Sequence, residues 1–207
     1  MDYACSIFLN PPNTLPNKPL DNSLSIPGTG AHNAANVHGS SESNLNHSTM
    51  NYSIDIQQAC LEDIPVSHDV LTNWAIQTLT PLINTAELTL RFVDRQEITH
   101  LNHQYRKMNK ATNVLAFPAS YPEEIELDVP LLGDVVICPE ILLEESQSLN
   151  KPLIAHWAHI VIHGILHLLG YDHIDENDAK IMQALEIQLL ERLGFDDPYD
   201  PIETEAH

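Results

Sequence analysis

The sequence predicts an α/β protein of the α+β type, with a small mixed sheet of about four strands covered by about five helices. Short apolar or alternating runs, typical of strands, are interspersed with longer segments of helical periodicity that begin at capping residues. The chain has 207 residues, of which 43% are hydrophobic. That is enough for the core of a single ordinary domain with a tail.

Four segments have strand character: 52–56, 86–93, 114–117 and 131–138. In the second of them Leu88, Leu90 and Phe92 fall on one face, as the two-residue repeat of a half-buried strand requires. The third and fourth are separated by an acidic loop. Its characteristic residues are Pro122, Glu123, Glu124, Glu126 and Asp128.

Five segments have helical character, and local capping signals mark several of their ends. Ser67 is a candidate N-cap for a helix to about Leu79, and Asp94 with Glu97 forms a capping-box pattern for a helix through Tyr105. Three further helices are predicted over 139–149, 152–169 and 176–193. Asn150 and Pro152 favour a helix start, and Gly194 stands where a C-terminal glycine belongs.

Residues 1–49 differ in composition from the rest, because they are rich in Asn, Ser, Pro and Thr and contain only four charged residues. Such a segment buries too little apolar surface to offset its ordering entropy, which predicts disorder. Alternatively, it is a mis-annotated extension and translation starts at Met50. The predicted functional domain spans 50–200, and 201–207 form a tail.

The net charge of −20 argues against nucleic acid as a partner, because Lys and Arg supply most non-specific affinity for phosphate. Five of the nine basic residues nevertheless fall within twenty positions, which leaves room for a local basic face. They are Arg91, Arg95, Arg106, Lys107 and Lys110. Three scattered cysteines, no secretory signal and no uninterrupted apolar span predict a cytoplasmic protein with no membrane association.

The helix predicted over 152–169 carries four histidines on an otherwise apolar segment. At about 100° per residue, His156, His159, His163 and His167 lie within an arc of about 80°. Burying such a row of imidazoles requires polar partners, and a metal ion is one candidate. Neighbours at i,i+4 can share an ion, so spacing alone allows the pairs 159/163 and 163/167.

The residues after this helix distinguish the two pairs. Gly170 permits a left-handed turn that ends the helix, so that His173 can fold back towards His163 and His167. The motif H-x3-H-x2-G-x2-H then supplies three ligands and leaves a fourth position open, as in catalytic zinc sites. We expect supporting or packing roles for His156 and His159. Tyr171 and Asp172 are further candidates for orienting a ligand, although a turn tyrosine and a surface aspartate are their commoner roles.

The same spacing occurs in zinc proteases of the pattern H-E-x-x-H-x-x-G-x-x-H, in which the glutamate is the general base. Gly164 occupies that position in this chain, so peptide hydrolysis by that route is disfavoured. Cleavage of a phosphodiester instead needs anionic charge to be stabilised at phosphorus, for which a metal ion and an arginine are suited. Arg106, at the end of a predicted helix, is the candidate arginine.

Three segments in this chain, HGILHLLGYDH, LNHQYRKMNKATNVLAFP and LLGDVVIC, resemble the signatures of the YbeY family of bacterial endoribonucleases, also described as rRNA maturation factors. The resemblance covers about residues 52–199 and includes the terminal LGFDDPY. It departs from the common pattern YRxKDxPTDVLSFP in the second signature. The differing residues are Met108, Asn109, Ala111, Asn113 and Ala116.

The resemblance implies a zinc-dependent endoribonuclease, specific for single strands, that acts in 16S rRNA 3′-end maturation and ribosome quality control. By position, His163, His167 and His173 match the zinc ligands and Arg106 the arginine needed for activity. The implied partners are rRNA, the small ribosomal subunit and ribosome-associated proteins, with no DNA expected. Attack by water and attack by the ribose 2′-OH both stay open, and the residues identify no general base beyond a guess at Asp172. A zinc peptidase with a non-standard base and a non-catalytic, metal-stabilised ribosome-binding factor are the alternatives.

Overall fold

The computed structural model describes residues 50–122 and 127–200. The predictions for 1–49, for 201–207 and for Glu123, Glu124 and Glu126 of the acidic loop lie outside the described residues. Within the described ranges the chain forms four strands and five helices, which confirms the predicted fold class. In chain order they are β1 (Asn51–Gln58), α1 (His68–Leu79), β2 (Thr85–Phe92), α2 (Arg95–Arg106), β3 (Val114–Pro118), β4 (Leu131–Ile137), α3 (Pro139–Ser148), α4 (Leu153–Leu168) and α5 (Glu176–Arg192).

The four strands form one mixed sheet in the order β1-β2-β4-β3. β2 pairs in parallel with both β1 and β4, whereas β3 runs antiparallel along the far side of β4. The parallel pairs need crossover connections, and the first of these contains α1. This arrangement places β4 and β3 beneath the helix that carries the histidines.

Adjacent residues of β4 show how the two faces of the sheet are covered. Val135 belongs to the larger apolar cluster with α1, α4 and α5, and Val136 belongs to the smaller cluster with Ile98 of α2. Because successive side chains of a strand point to opposite faces, α4 and α2 pack on opposite sides of the sheet. Trp157 of α4 is buried against Phe92 of β2, with ring centroids 5.5 Å apart.

Local capping chemistry explains where α1 and α2 begin. Ser67 accepts a hydrogen bond from the backbone N–H of Val70, and Asp94 accepts one from that of Glu97 at 2.8 Å. The reciprocal half of the predicted capping box is absent, because the Glu97 carboxylate pairs with Arg91 at 2.9 Å. Arg91 offers a charged partner, which a backbone N–H cannot match.

Asn150 has a different role from the predicted helix start. It adopts a positive φ of 53° directly after α3, and Lys151 N–H donates to the carbonyl of Ser146 across it. Asn150 therefore ends α3 in the way a glycine commonly does. Of the two residues predicted to start α4, only Pro152 does so, as its N-cap residue.

Candidate metal centre

α4 is the most deeply buried helix, and its buried residues include all four of its histidines. Gly164 explains how the helix comes so close to the sheet. A Cβ atom at this position would lie 2.4 Å from Val135 Cγ1 and 3.4 Å from Val114 Cγ2. Position 164, directly after His163, therefore has no room for a side chain. The glutamate of the protease pattern cannot be accommodated there.

The end of α4 has the geometry predicted from Gly170. This residue has a φ of 83°, its N–H donates to the carbonyl of His167, and the Tyr171 N–H donates to that of Leu166. This pair of bonds is a Schellman motif, which reverses the chain after the last helical turn. His173 is thereby brought back over the helix end.

The structure brings His163, His167 and His173 together. One ring nitrogen from each lies within 4.8 Å of the others, and the His163 and His167 Nε2 atoms are 3.1 Å apart. Two nitrogens bound to one zinc ion at about 2.0–2.1 Å in a tetrahedral arrangement are separated by about 3.3 Å. The histidine pair selected from the sequence is thus spaced as two ligands of one ion.

Hydrogen bonds to the opposite ring nitrogens fix the orientation of both rings. His163 Nδ1 lies 2.7 Å from the Glu186 carboxylate, and His167 Nδ1 lies 2.8 Å from the carbonyl oxygen of Tyr171. A carboxylate and a carbonyl only accept, so both Nδ1 atoms carry the proton. Both Nε2 lone pairs then point at each other, an arrangement that a shared cation stabilises.

His173 supplies a second sign that a ligand fits. Its Nε2 is buried and has no hydrogen-bond partner among the described residues. A buried ring nitrogen without a partner costs free energy, which a metal ion would offset. The three-nitrogen donor set suits zinc among the metals that imidazole favours.

Burial favours the neutral form of His167 and His173, which is the form that binds a metal. It lowers the pKa of His167 to about 2, with a further contribution from His163 and His173, and it also lowers the pKa of His173. Neutral imidazole nitrogens can donate their lone pairs to a metal across the physiological pH range.

Glu186 is the residue of the site that the sequence interpretation missed. It lies on α5, is 1% exposed and contacts His163. Burial raises the pKa of its carboxyl group. The imidazoles of His159 and His163 lower this pKa by a larger amount, so that it lies below its ordinary value. A signal was present: Glu186 occupies an i,i+4 position after Met182 and precedes Leu189 and Leu190, within the apolar stripe of α5.

The supporting candidates divide between two clusters. His159 Nε2 lies 3.6 Å from Glu186, whereas His156 bonds to Glu145 of α3 at 2.8 Å, in a cluster of its own. Tyr171 orients His167 through its backbone carbonyl. The Asp172 carboxylate accepts a hydrogen bond from the backbone N–H of His173 and so supports the turn.

Arg106 is the last residue of α2 and is half-buried. In the part of the chain that the structure describes, no hydrogen bond or ion pair engages its guanidinium. Arg91 and Arg95, by contrast, are paired with acidic residues. The predicted basic face is therefore reduced to the end of α2 and the turn after it, where Arg106, Lys107 and Lys110 lie.

Comparison with known proteins finds a family model that matches most of the chain. The family model described as "Endoribonuclease YbeY" matches residues 54–194. The chain belongs to the YbeY family. The matched segment contains the three clustered histidines, Arg106 and Glu186.

Curated relatives named "Endoribonuclease YbeY" support the same assignment. Those from the Corby, Lens and Paris strains of Legionella pneumophila are each 58% identical over 156 residues, covering 75% of this chain and 99% of the relative. A solution structure from Thermotoga maritima has a TM-score of 0.49 and 26% identity, and covers 71% of this chain and 99% of that one. Membership of the YbeY family makes this chain an endoribonuclease, which acts on RNA. No helix in the described ranges has the length and hydropathy needed to cross a bilayer.

Proposed function

We propose that this chain is a zinc-dependent endoribonuclease that cleaves single-stranded RNA in 16S rRNA 3′-end maturation and ribosome quality control. The observation that carries the metal dependence is the convergence of three buried imidazoles, two of them with Nδ1 bound to acceptors. His163, His167 and His173 would hold the ion. A zinc ion there would supply Lewis acidity for phosphodiester cleavage.

Arg106 is proposed to bind the substrate phosphate. Its guanidinium has no acidic partner among the described residues, and a guanidinium matches phosphate oxygens in a bidentate fashion. The turn that follows it leads into β3, whose first residue, Val114, packs against α4 at Gly164, beside His163. The assignment of Arg106 to the same site rests on the family resemblance, by which it matches the arginine needed for activity.

The biological setting of the proposal comes from the family. The partners of a YbeY enzyme would be small-subunit rRNA, the ribosome and ribosome-associated proteins. Its location would be the cytoplasm. The net charge of −20 restricts phosphate contacts to few cations, so we expect binding through local contacts and not through a broad basic surface.

The proposal is tested by measuring zinc content and RNA cleavage on the same preparations. Wild type, His167→Ala and Arg106→Ala are compared on a single-stranded RNA, its duplex, the DNA equivalent and a transcript with an unprocessed 16S 3′ end. We expect His167→Ala to lose zinc and cleavage. Arg106→Ala should keep zinc and lose about tenfold or more in cleavage rate, because a hydrogen bond between charged groups contributes about 1.5–3 kcal/mol.

Two control variants separate these effects from general damage. Arg192→Ala removes an arginine from the end of another helix, and His156→Gln replaces a buried histidine of α4 outside the cluster. Both should retain zinc and cleavage if folded. A wild type that takes up no zinc, or full activity in Arg106→Ala, contradicts the corresponding assignment. Zinc uptake without cleavage of any RNA would instead indicate a non-catalytic ribosome-binding factor.

A further inference from the structure

The Glu186 carboxylate lies at the centre of a buried hydrogen-bond network beneath the histidine cluster. One oxygen, Oε1, lies 2.7 Å from His163 Nδ1, and the other, Oε2, accepts a hydrogen bond from the Tyr199 hydroxyl. His159 contributes a ring nitrogen 3.6 Å from Oε1. Three segments, α4, α5 and the chain after α5, therefore meet at one carboxylate.

We propose that Glu186 is a positioning residue for His163, held in place in turn by Tyr199. By accepting the Nδ1 proton it fixes the tautomer of His163, so that the Nε2 lone pair faces His167 and the metal. An anionic acceptor also makes the imidazole a stronger ligand. The inference rests on the metal centre of the proposed function and assigns it a residue outside the three-histidine motif.

The distances favour a hydrogen bond over a second metal ion bound by Glu186. His159, His163 and Glu186 also have ligand atoms within 4.8 Å of one another. However, the 2.7 Å between His163 Nδ1 and Glu186 Oε1 is a hydrogen-bond length. Two atoms bound to one zinc ion at about 2.0–2.1 Å in a tetrahedral arrangement would be about 3.3 Å apart.

The burial of Glu186 makes its hydrogen bonds to His163 and Tyr199 necessary for the stability of the charged carboxylate. A carboxylate that is 1% exposed is costly unless donors surround it, and the Tyr199 hydroxyl and the His163 N–H are such donors. Tyr199 comes from the short segment after α5. Its hydroxyl leaves Oε2 satisfied and Oε1 directed at His163.

The chain provides a control in a second histidine–carboxylate pair, in which the histidine is buried and the carboxylate is partly exposed. Glu145 of α3 bonds His156 at 2.8 Å. His156 lies on α4, as His163 does, but outside the cluster of three histidines. Glu186→Gln and Glu145→Gln therefore make the same chemical change beside two histidines of α4. Tyr199→Phe removes only the hydroxyl that holds Glu186.

The first measurement is the zinc dissociation constant of each folded variant, by competition with a chromophoric chelator. We expect Glu186→Gln to bind zinc about 10–100-fold more weakly than wild type. Tyr199→Phe should show a smaller loss in the same direction, and Glu145→Gln should bind as wild type does. Wild-type affinity in Glu186→Gln, an equal loss in Glu145→Gln, or two zinc ions per wild-type chain would overturn the proposal.

The second measurement needs no metal and no variant that folds poorly. Long-range ¹H–¹⁵N correlation spectra of the zinc-free wild type report which nitrogen of His163 carries the proton. The proposal predicts Nδ1, and protonation at Nε2 would contradict it. If wild type bound no zinc at all, the proposed metal centre would fail, whereas this measurement would still decide the role of Glu186.

Discussion

Replacing Gly164 by alanine tests the close approach of α4 to the sheet, on which the position of His163 depends. The added Cβ would lie 2.4 Å from Val135 Cγ1 and 3.3 Å from Val135 Cγ2, so rotating the valine does not clear both overlaps. Overpacking of this kind costs about 1–3 kcal/mol, and the short contact favours the upper end of that range. Alanine regains about 1 kcal/mol in helix propensity. The expected net loss in the free energy of unfolding is about 2 kcal/mol.

Urea unfolding and thermal melting of the zinc-free protein measure this loss. For a domain of this size, about 2 kcal/mol corresponds to a melting temperature lower by about 4–8 °C. Val135→Ala provides the second arm of a double-mutant cycle, because it removes the methyl groups that the new Cβ meets. In that background Gly164→Ala should be neutral or slightly stabilising. Additive effects of the two substitutions would refute the packing argument.

Three further predictions concern the helix end, the histidines and the neighbouring polar cluster. Gly170→Ala forces an L-residue into a positive φ of 83°, so it should lower the free energy of unfolding by about 1–2 kcal/mol and weaken zinc binding. Gly170→Asn should recover most of the stability and of the zinc affinity, because asparagine tolerates this conformation better. Equal stability of the two variants would contradict this prediction. The lowered pKa values of His159, His167 and His173 mean that acid protonates the unfolded chain first. Zinc-free stability should therefore fall as pH drops below about 6.5, by up to about 1.4 kcal/mol per pH unit for each histidine. Because the lowered pKa of Glu186 acts only below about 4.5, urea unfolding between pH 6.5 and 5 isolates the histidines, and a flat profile there would be inconsistent with their burial. Asn113→Asp places a second carboxylate where an amide now donates to Glu145 at 3.1 Å. It should destabilise the protein by about 1 kcal/mol at pH 7 and by less at pH 5, because acid weakens the repulsion between the two carboxylates. The same loss of stability at both pH values would argue against charge repulsion.

Features set by neighbouring residues were predictable from the sequence. Ser67 and Asp94 mark two helix starts, and Gly170 marks the turn that returns His173, because caps and turns depend on only a few consecutive residues. The histidine pair could be selected for the same reason. Its two members are one helical turn apart, and the glycine follows directly.

Features that depend on distant pairing could not be obtained in this way. The strand order, the antiparallel β3 and the diversion of Glu97 to Arg91 each depend on segments that are distant in sequence or compete for one group. Glu186 was missed because a glutamate on an amphipathic helix ordinarily faces solvent. Only the packing of α5 against α4 shows that it faces His163. The metal ligation and the role of Arg106 stay predictions, which need direct measurement.

Zinc K-edge absorption spectroscopy of the chain loaded with one equivalent of zinc tests the metal centre most directly. We expect one bound ion with three imidazole nitrogens at about 2.0–2.1 Å and no sulfur ligand, and the loss of one imidazole in His173→Ala. A sulfur shell from the cysteines, fewer imidazoles in wild type, or an unchanged spectrum in His173→Ala would contradict it.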